Sequence, residues 1–206
     1  MRNPWEEIPL EDYESHMSLD SVRQLQALNE IMRGQLGAYP VSRVMILGVA
    51  GGNGLEHIRR DQYEKVYGVD VNASYLEAAA ARYPHLKGAL ECLRVDLTEE
   101  SCRLPEADLL IADLLVEYIG YARFQSAVRQ VNPRYVSCAI QINLEDGWVS
   151  DSPYLHAFDG LEPLHHQMEE EALGQAMLEI GYRLVKTLEH GLPNGKKLVR
   201  LDFERT

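Results

Sequence analysis

Apolar positions along the chain change their spacing in a regular way. Five short, nearly continuous apolar runs predict buried strands at residues 43–48, 65–70, 90–95, 107–113 and 135–142. Between them the helical period returns. It predicts helices over 53–60, over the alanine-rich stretch 73–83 ended by Pro84, and over 117–131, stopped by Asn132 and Pro133. Strands alternating with helices imply crossover connections and a parallel sheet covered on both faces. The two ends of the chain depart from this rhythm. Residues 1–17 read as an irregular arm that turns helical near Leu10. Val22, Leu25, Leu28, Ile31, Met32 and Leu36 then recur at helical spacing, in a helix that stops near Gly34 or Gly37, before Pro40. At the other end a helix is expected over 164–180, capped by Gly181, and then extended runs at 182–190 and 196–204. Only Gly191-Leu-Pro-Asn-Gly195 joins those runs. That link is too short for a crossover, so the pair must be antiparallel. The expected fold class is α/β, with a doubly wound, mostly parallel sheet whose last strand is reversed.

The chain of 206 residues suits one domain with a substantial core. Its formal net charge of −12 disfavours a nucleic-acid partner, since such binding relies on Lys and Arg to neutralise phosphate. Cys92, Cys102 and Cys138 are odd in number and form no CxxC pair, which speaks against a disulfide framework or a zinc site. Thiols kept reduced in a cytoplasmic setting are the simpler expectation. No apolar leader core opens the chain, and no window approaches the ~20 apolar residues of a membrane span.

Candidate chemistry gathers where the strands end, because ligands of doubly wound sheets bind beyond the carboxyl edge. The first strand runs into Gly48-Val-Ala-Gly-Gly-Asn-Gly54. Glycine permits positive φ and close approach of a ligand, and the helix expected next would aim free N–H groups at it. The second strand ends in Asp70, a carboxylate suited to both hydroxyls of a ribose. The third and fourth end in Asp96 and Asp113. Each aspartate could instead cap the element that follows it.

With these motifs the chain resembles the class I S-adenosylmethionine-dependent methyltransferases over residues 41–206. The likeness rests on VMILGVAGGNG, VYGVDVN, LRVDLT, ADLLIAD and the terminal hairpin. It implies a seven-stranded sheet with its last strand reversed and S-adenosyl-L-methionine as cofactor. It also implies that Gly48, Ala50, Gly51 and Gly52 border the methionine part and that Asp70, with Val71, holds the ribose. Asp96 and Leu97 would meet the adenine, and Asp113 would lie near the amino-acid end and the methyl. The chain departs from the family at Ile46, where an acid is usual, and at Ala50, where the second glycine is usual. The amino group of the cofactor must therefore find another partner, with Glu56 and Asp113 as candidates. No Asn/Asp-Pro-Pro-aromatic box follows the fourth strand; Asp113-Leu-Leu-Val-Glu-Tyr118 stands there instead. That argues against methylation of nucleobase or glutamine amino groups.

The acceptor is accordingly expected to be a small molecule. In small-molecule members of the family the segment before the first strand often forms a lid, which makes residues 1–40 an arm that closes the site. Tyr13, His16 and Tyr118 are candidate substrate residues, and Met17 and Asn143 lie in the same region. No catalytic residue and no metal ligand set is assigned. His165-His166 ahead of Glu169–Glu171 is expected to be a solvated helix start. The helix at 19–36 is expected to cover the sheet or to pair with a second copy, which allows a homodimer. Two rival readings stay open. One is a protein that binds S-adenosylmethionine without catalysis. The other is an NAD(P)-dependent short-chain reductase, given the spacing Gly48-x-x-Gly51-x-x-Gly54. Its Tyr-x-x-x-Lys pair would be Tyr182 and Lys186. That pair needs a helix, whereas an extended run would hold the two roughly 13 Å apart.

Overall fold

The computed structural model describes residues 3–143, 149 and 152–206. In chain order the helices are α1 (Leu10–Ser18), α2 (Gln24–Leu36), α3 (Ala73–Arg82), α4 (Val116–Val131) and α5 (Glu170–Glu179). The strands are β1 (Arg43–Leu47), β2 (Lys65–Asp70), β3 (Leu90–Arg94), β4 (Leu109–Asp113), β5 (Tyr135–Ile142), β6 (Tyr182–Gly191) and β7 (Lys197–Arg205). They form one seven-stranded sheet in the order β3-β2-β1-β4-β5-β7-β6. β1 to β5 pair in parallel, and β7 enters antiparallel between β5 and β6. This is the doubly wound architecture expected from the sequence, reversed strand included.

Alternation along the central strands divides the core between the faces. Met45 and Leu47 point to the side of α4 and α5, where they meet Phe124, Val128, Leu173 and Met177. Val44 and Ile46 point to the other side, against Met32, Leu36, Leu76 and Ala79 from α2 and α3. β1, β4 and β5 are covered on both faces, which is why they read as unbroken apolar runs. The chain leaves β1 towards β3 and returns to β4 on the other flank of β1, so the switch point lies between β1 and β4. Tyr182 and Lys186 both lie on β6, the edge strand, and not on a helix.

Two expected helices differ from what forms. The one at 53–60 is reduced to a single 3-10 turn at Leu55–His57. Gly52 and Gly54 take φ of 87° and 92°, which no helix tolerates. Glu56 then spends its carboxylate on Gly54 N–H (3.0 Å), Asn29 (2.6 Å) and Tyr83 (3.1 Å), tying the loop to α2 and α3. The helix expected at 164–180 begins only at Glu170. A 3-10 segment, Leu155–Leu164, precedes it and carries Pro163 inside. His165 is extended, and His166 N–H donates to the carbonyl of Glu117 at 2.7 Å. The histidine pair is therefore a strap across the start of α4 and not a solvated helix start. No helix among the described residues is long and apolar enough to cross a membrane.

Candidate functional site

The carboxyl edge of the sheet brings the strand ends together in one row: Asp96 after β3, Asp70 on β2, Gly48 after β1 and Asp113 on β4. Gly48 turns the chain with φ of 70°, and the N–H groups of Gly48 and Val49 both donate to Val69 C=O at 2.8 and 3.0 Å. Ala50 also takes positive φ, 46°, a conformation that costs an L-residue roughly 1–2 kcal/mol. Its N–H donates to Asp70 Oδ2 at 2.9 Å, and this bond fixes the turn. Asp70 Oδ1 accepts from Asn72 N–H at 2.9 Å. Burial raises the pKa of Asp70, and the N–H bonds of Asn72 and Ala50 oppose that rise.

A cleft with about 720 Å³ of empty space, its open mouth included, runs along this row. Gly48, Ala50, Asp70, Val71, Asp96, Leu97 and Asp113 all line it, with Trp5, Tyr13 and Tyr118 opposite. A second cleft opens beyond Tyr13 and Tyr118 and is lined by Trp5, His16, Met17, Glu117, Phe158 and His165. A third, beside the glycine turn, is lined by Ile46, Gly48, Ala50, Gly51, Asn53, Asp113 and Tyr13. Tyr13 lines all three, so it stands at their junction.

The sequence grouped three residues with this site that lie apart from it. Gly52 faces α3, where a Cβ would meet Leu55, Tyr83 and Ala79, and it lines none of the clefts. Glu56, a candidate partner for a ligand's amino group, is engaged on the far side of the loop as described above. Asn143 accepts from Gln141 and lines none of these three clefts. Gly51 does border the third cleft, but a Cβ there would lie 2.5 Å from both Arg82 and Glu14. Those two side chains form an ion pair that fastens α1 to α3 (Arg82 Nη2 to Glu14 Oε2, 2.8 Å).

The arm covers the row at several points. Asn3 donates to Asp96 Oδ2 at 3.0 Å, while Asp96 Oδ1 holds Thr98 N–H and Oγ in a tight turn. Glu6 pairs with Arg94 at 2.6 Å. Asn72 donates to Trp5 C=O and Tyr75 to Ile8 C=O. The Trp5 ring meets Tyr118 edge-on at 4.9 Å and Tyr13 at 6.0 Å. Burial, with Asp70 nearby, pushes the Tyr13 phenol well above its ordinary pKa. Burial lowers the pKa of His16, and Lys196 adds to this; the ring bonds Ser152 through Nδ1 at 2.7 Å.

Two carboxyl groups that sequence patterns did not single out for their charge state now stand out. Asp113 Oδ1 accepts from Gln35 (2.8 Å) and from Ala139 N–H (3.0 Å), yet its Oδ2 is buried with no donor among the described residues. Burial raises Asp113 from 3.8 to about 7. Gln35 Oε1 is likewise buried without a donor. One proton on Asp113 would turn the pair into an acid–amide couple and satisfy both orphan oxygens. Glu117, missed by the sequence reading, has one orphan oxygen and is raised from 4.5 to about 7 by burial. Between them Leu114 holds a positive φ of 51°, strain of the kind that collects at functional sites.

No protein-family model matches the chain, and neither does any curated protein. Solved structures do match. The magnesium protoporphyrin IX methyltransferase ChlM of Synechocystis PCC 6803, crystallised with bound SAH, is 14% identical with a TM-score of 0.74, over 100% of this chain and 98% of that one. Geranyl diphosphate C-methyltransferase from Streptomyces coelicolor A3(2) is 12% identical with a TM-score of 0.67, over 89% of this chain and 78% of that one. The cyclase SpnF is 12% identical with a TM-score of 0.64, over 89% and 82%. At these identities the likeness is one of fold: a Rossmann-like methyltransferase fold.

Proposed function

We propose that the protein transfers the methyl group of S-adenosyl-L-methionine to a small-molecule acceptor. One observation carries the reading. Three buried or half-buried aspartates, Asp96, Asp70 and Asp113, line a single cleft in strand order, with the glycine turn between the last two. An adenine amine, a ribose and an ammonium group need acceptors in that sequence. The residues present fit. Asp96 Oδ2 already takes a primary amide N–H from Asn3, a donor of the same kind as an adenine amine. Asp70 accepts one N–H on each oxygen, which leaves lone pairs for ribose hydroxyls. Asp113 Oδ2 lies in the cleft beside Ile46 and, once its proton is given up, offers the ammonium partner that an apolar residue at position 46 cannot.

When bound, the cofactor supplies an electrophilic methyl group on a sulfonium sulfur. The chain's part is to hold and orient both reactants and to exclude water. Tyr13, Trp5 and Tyr118 separate the aspartate row from the second cleft and border both, so an acceptor in that cleft lies against the same three rings. Residues 1–40 act as the lid, anchored by Asn3, Glu6 and Glu14.

The reading is tested by calorimetry with S-adenosylhomocysteine and, in parallel, NADH. Micromolar binding of the first and not the second is expected, weakened at least about tenfold by Asp70→Ala, the equivalent of ~1.4 kcal/mol. Failure of the intact protein to bind S-adenosylhomocysteine would sink the proposal. The rival, a protein that binds the cofactor without transferring its methyl, is motivated by Ile46 and Ala50. It predicts binding with no acceptor ever turned over.

A further inference from the structure

The second cleft has four aromatic side chains in its walls: Trp5, Tyr13, Tyr118 and Phe158. Among the described residues, one acidic side chain reaches it. Glu117 is 3% exposed, and three elements position it. Gly120, at φ 72° and ψ 165°, breaks α4 and leaves the turn that carries Glu117 apart from the rest of the helix. The His166 strap holds that turn by its carbonyl. Gln141 N–H, from β5, donates to Oε1 at 2.7 Å. Oε2 has no donor among the described residues. A buried acceptor oxygen left unpaired costs roughly 1–3 kcal/mol, which a ligand carrying a donor would recover.

The groups facing Glu117 narrow that ligand. Asp113 on β4 adds negative charge that raises Glu117 further. Cys138 on β5 and Tyr118 on α4 are pushed well above their ordinary pKa values, chiefly by burial, and stay neutral. His16 on α1 and His165 before α5 are lowered by burial and lose their proton readily. Lys196, in the turn before β7, acts on both histidines, and burial draws it down to about 8. An anion entering this cleft would meet the Glu117 carboxyl and two imidazoles that burial keeps neutral. An uncharged donor would meet the orphan oxygen.

Resting on the methyl-transfer reading, we propose that Glu117 is the proton acceptor of the reaction and that the second cleft takes a flat, uncharged molecule presenting a hydroxyl or an N–H. In the step, a bond forms from the acceptor's oxygen or nitrogen to the methyl carbon as that carbon's bond to sulfur breaks, and sulfur keeps the pair. The acceptor's proton goes to Glu117 Oε2, and its bonding pair stays on oxygen or nitrogen. The carboxylic acid so formed then returns its proton to solvent. A cofactor ammonium beside Asp113 would cancel the charge that raises Glu117, so loading the first site prepares the base in the second.

Naphthol, naphthylamine and naphthoate serve as probe acceptors, with turnover followed by S-adenosylhomocysteine formation. Methylation of naphthol or naphthylamine, and not of naphthoate, is expected. Glu117→Gln should lower kcat by about a hundredfold or more, with KM and S-adenosylhomocysteine affinity held within about threefold. Independently of turnover, the wild-type-minus-Glu117→Gln infrared difference should show a protonated carboxyl that titrates near 7 and shifts downward when S-adenosylhomocysteine is added. If Glu117→Gln does not fold, Glu117→Asp, which retracts the carboxyl by one methylene, is read in the same way. Turnover of naphthoate alone, or of none of the three by a protein that binds S-adenosylhomocysteine, overturns the acceptor class. An unchanged kcat, or a carboxyl titrating in the ordinary range near about 4, overturns the base. Loss of S-adenosylhomocysteine binding in the intact protein would instead strike the methyl-transfer reading itself.

Discussion

The state of Asp113 makes a prediction that needs no ligand. Its carboxyl is raised from 3.8 to about 7, first by burial, against the opposing bonds from Gln35 and Ala139 N–H. A carboxyl with a raised folded-state pKa binds its proton more tightly in the native chain than in the unfolded one. Its contribution to stability is therefore fully present below the unfolded value and is lost as pH rises through the folded one. The window runs from roughly 4 to 7, and a shift of about three units is worth about 4 kcal/mol. Against a total stability of roughly 5–15 kcal/mol this is a large share. Glu117 titrates across the same window with the same sign. Asp96 and Asp108 act oppositely. Burial raises them, but bonds from Thr98 and Asn3 to the first and from Arg43 to the second outweigh it, so their losses fall at more acid pH. Urea unfolding at pH about 5.5 and about 8 should show wild type losing several kcal/mol at the higher pH. Asp113→Asn keeps an acceptor for Gln35 and Ala139 and offers an N–H to Gln35 Oε1, so it should reduce the slope to the share of Glu117 and gain stability at pH about 8. Wild-type stability that is level or rising over this interval, or an Asn variant with the same slope as wild type, would refute the assignment of a proton to Asp113.

Two further substitutions probe how the site is held. Arg200 and Asp202 form a fully buried pair on β7 at 2.6 Å, and Ser137 and Tyr39 also donate to Asp202. Arg200→Met strands that carboxylate and should cost about 3–5 kcal/mol in urea unfolding, whereas Arg200→Met with Asp202→Leu should recover most of it. A single variant within about 1 kcal/mol of wild type would show the pair to be dispensable. Gly54 holds φ of 92°, and a Cβ there would lie 2.5 Å from Met32 Cγ. Gly54→Ala should therefore lower the melting midpoint by several degrees, roughly 1–3 kcal/mol, and loosen the glycine turn; an unchanged midpoint would contradict the strain.

The strands and their acids were legible because both signals are local. A run such as ADLLIAD is apolar on both faces and ends in a charge, and only a covered strand meeting a carboxyl-edge crevice accommodates that. The same local reading failed where a side chain spends its hydrogen bonds on a distant element. Residues 53–60 have ordinary helical composition, but Glu56 is captured by Asn29 and Tyr83, both more than twenty positions away in the chain. His165 is extended and His166 gives its N–H to Glu117 C=O, which holds this stretch against α4 ahead of the helix; the triplet Glu169 to Glu171 was the usable sign of where α5 starts, since acids favour a helix N-terminus. Glu117 shows the limit most sharply. In sequence it is an acid in the first turn of a helix, complementing the dipole as countless others do. Its distinct chemistry comes from Gln141, twenty-four residues on, which pins one oxygen, and from the arm and strap, which close the cleft around the other. A base made by its surroundings leaves no motif in the chain that carries it.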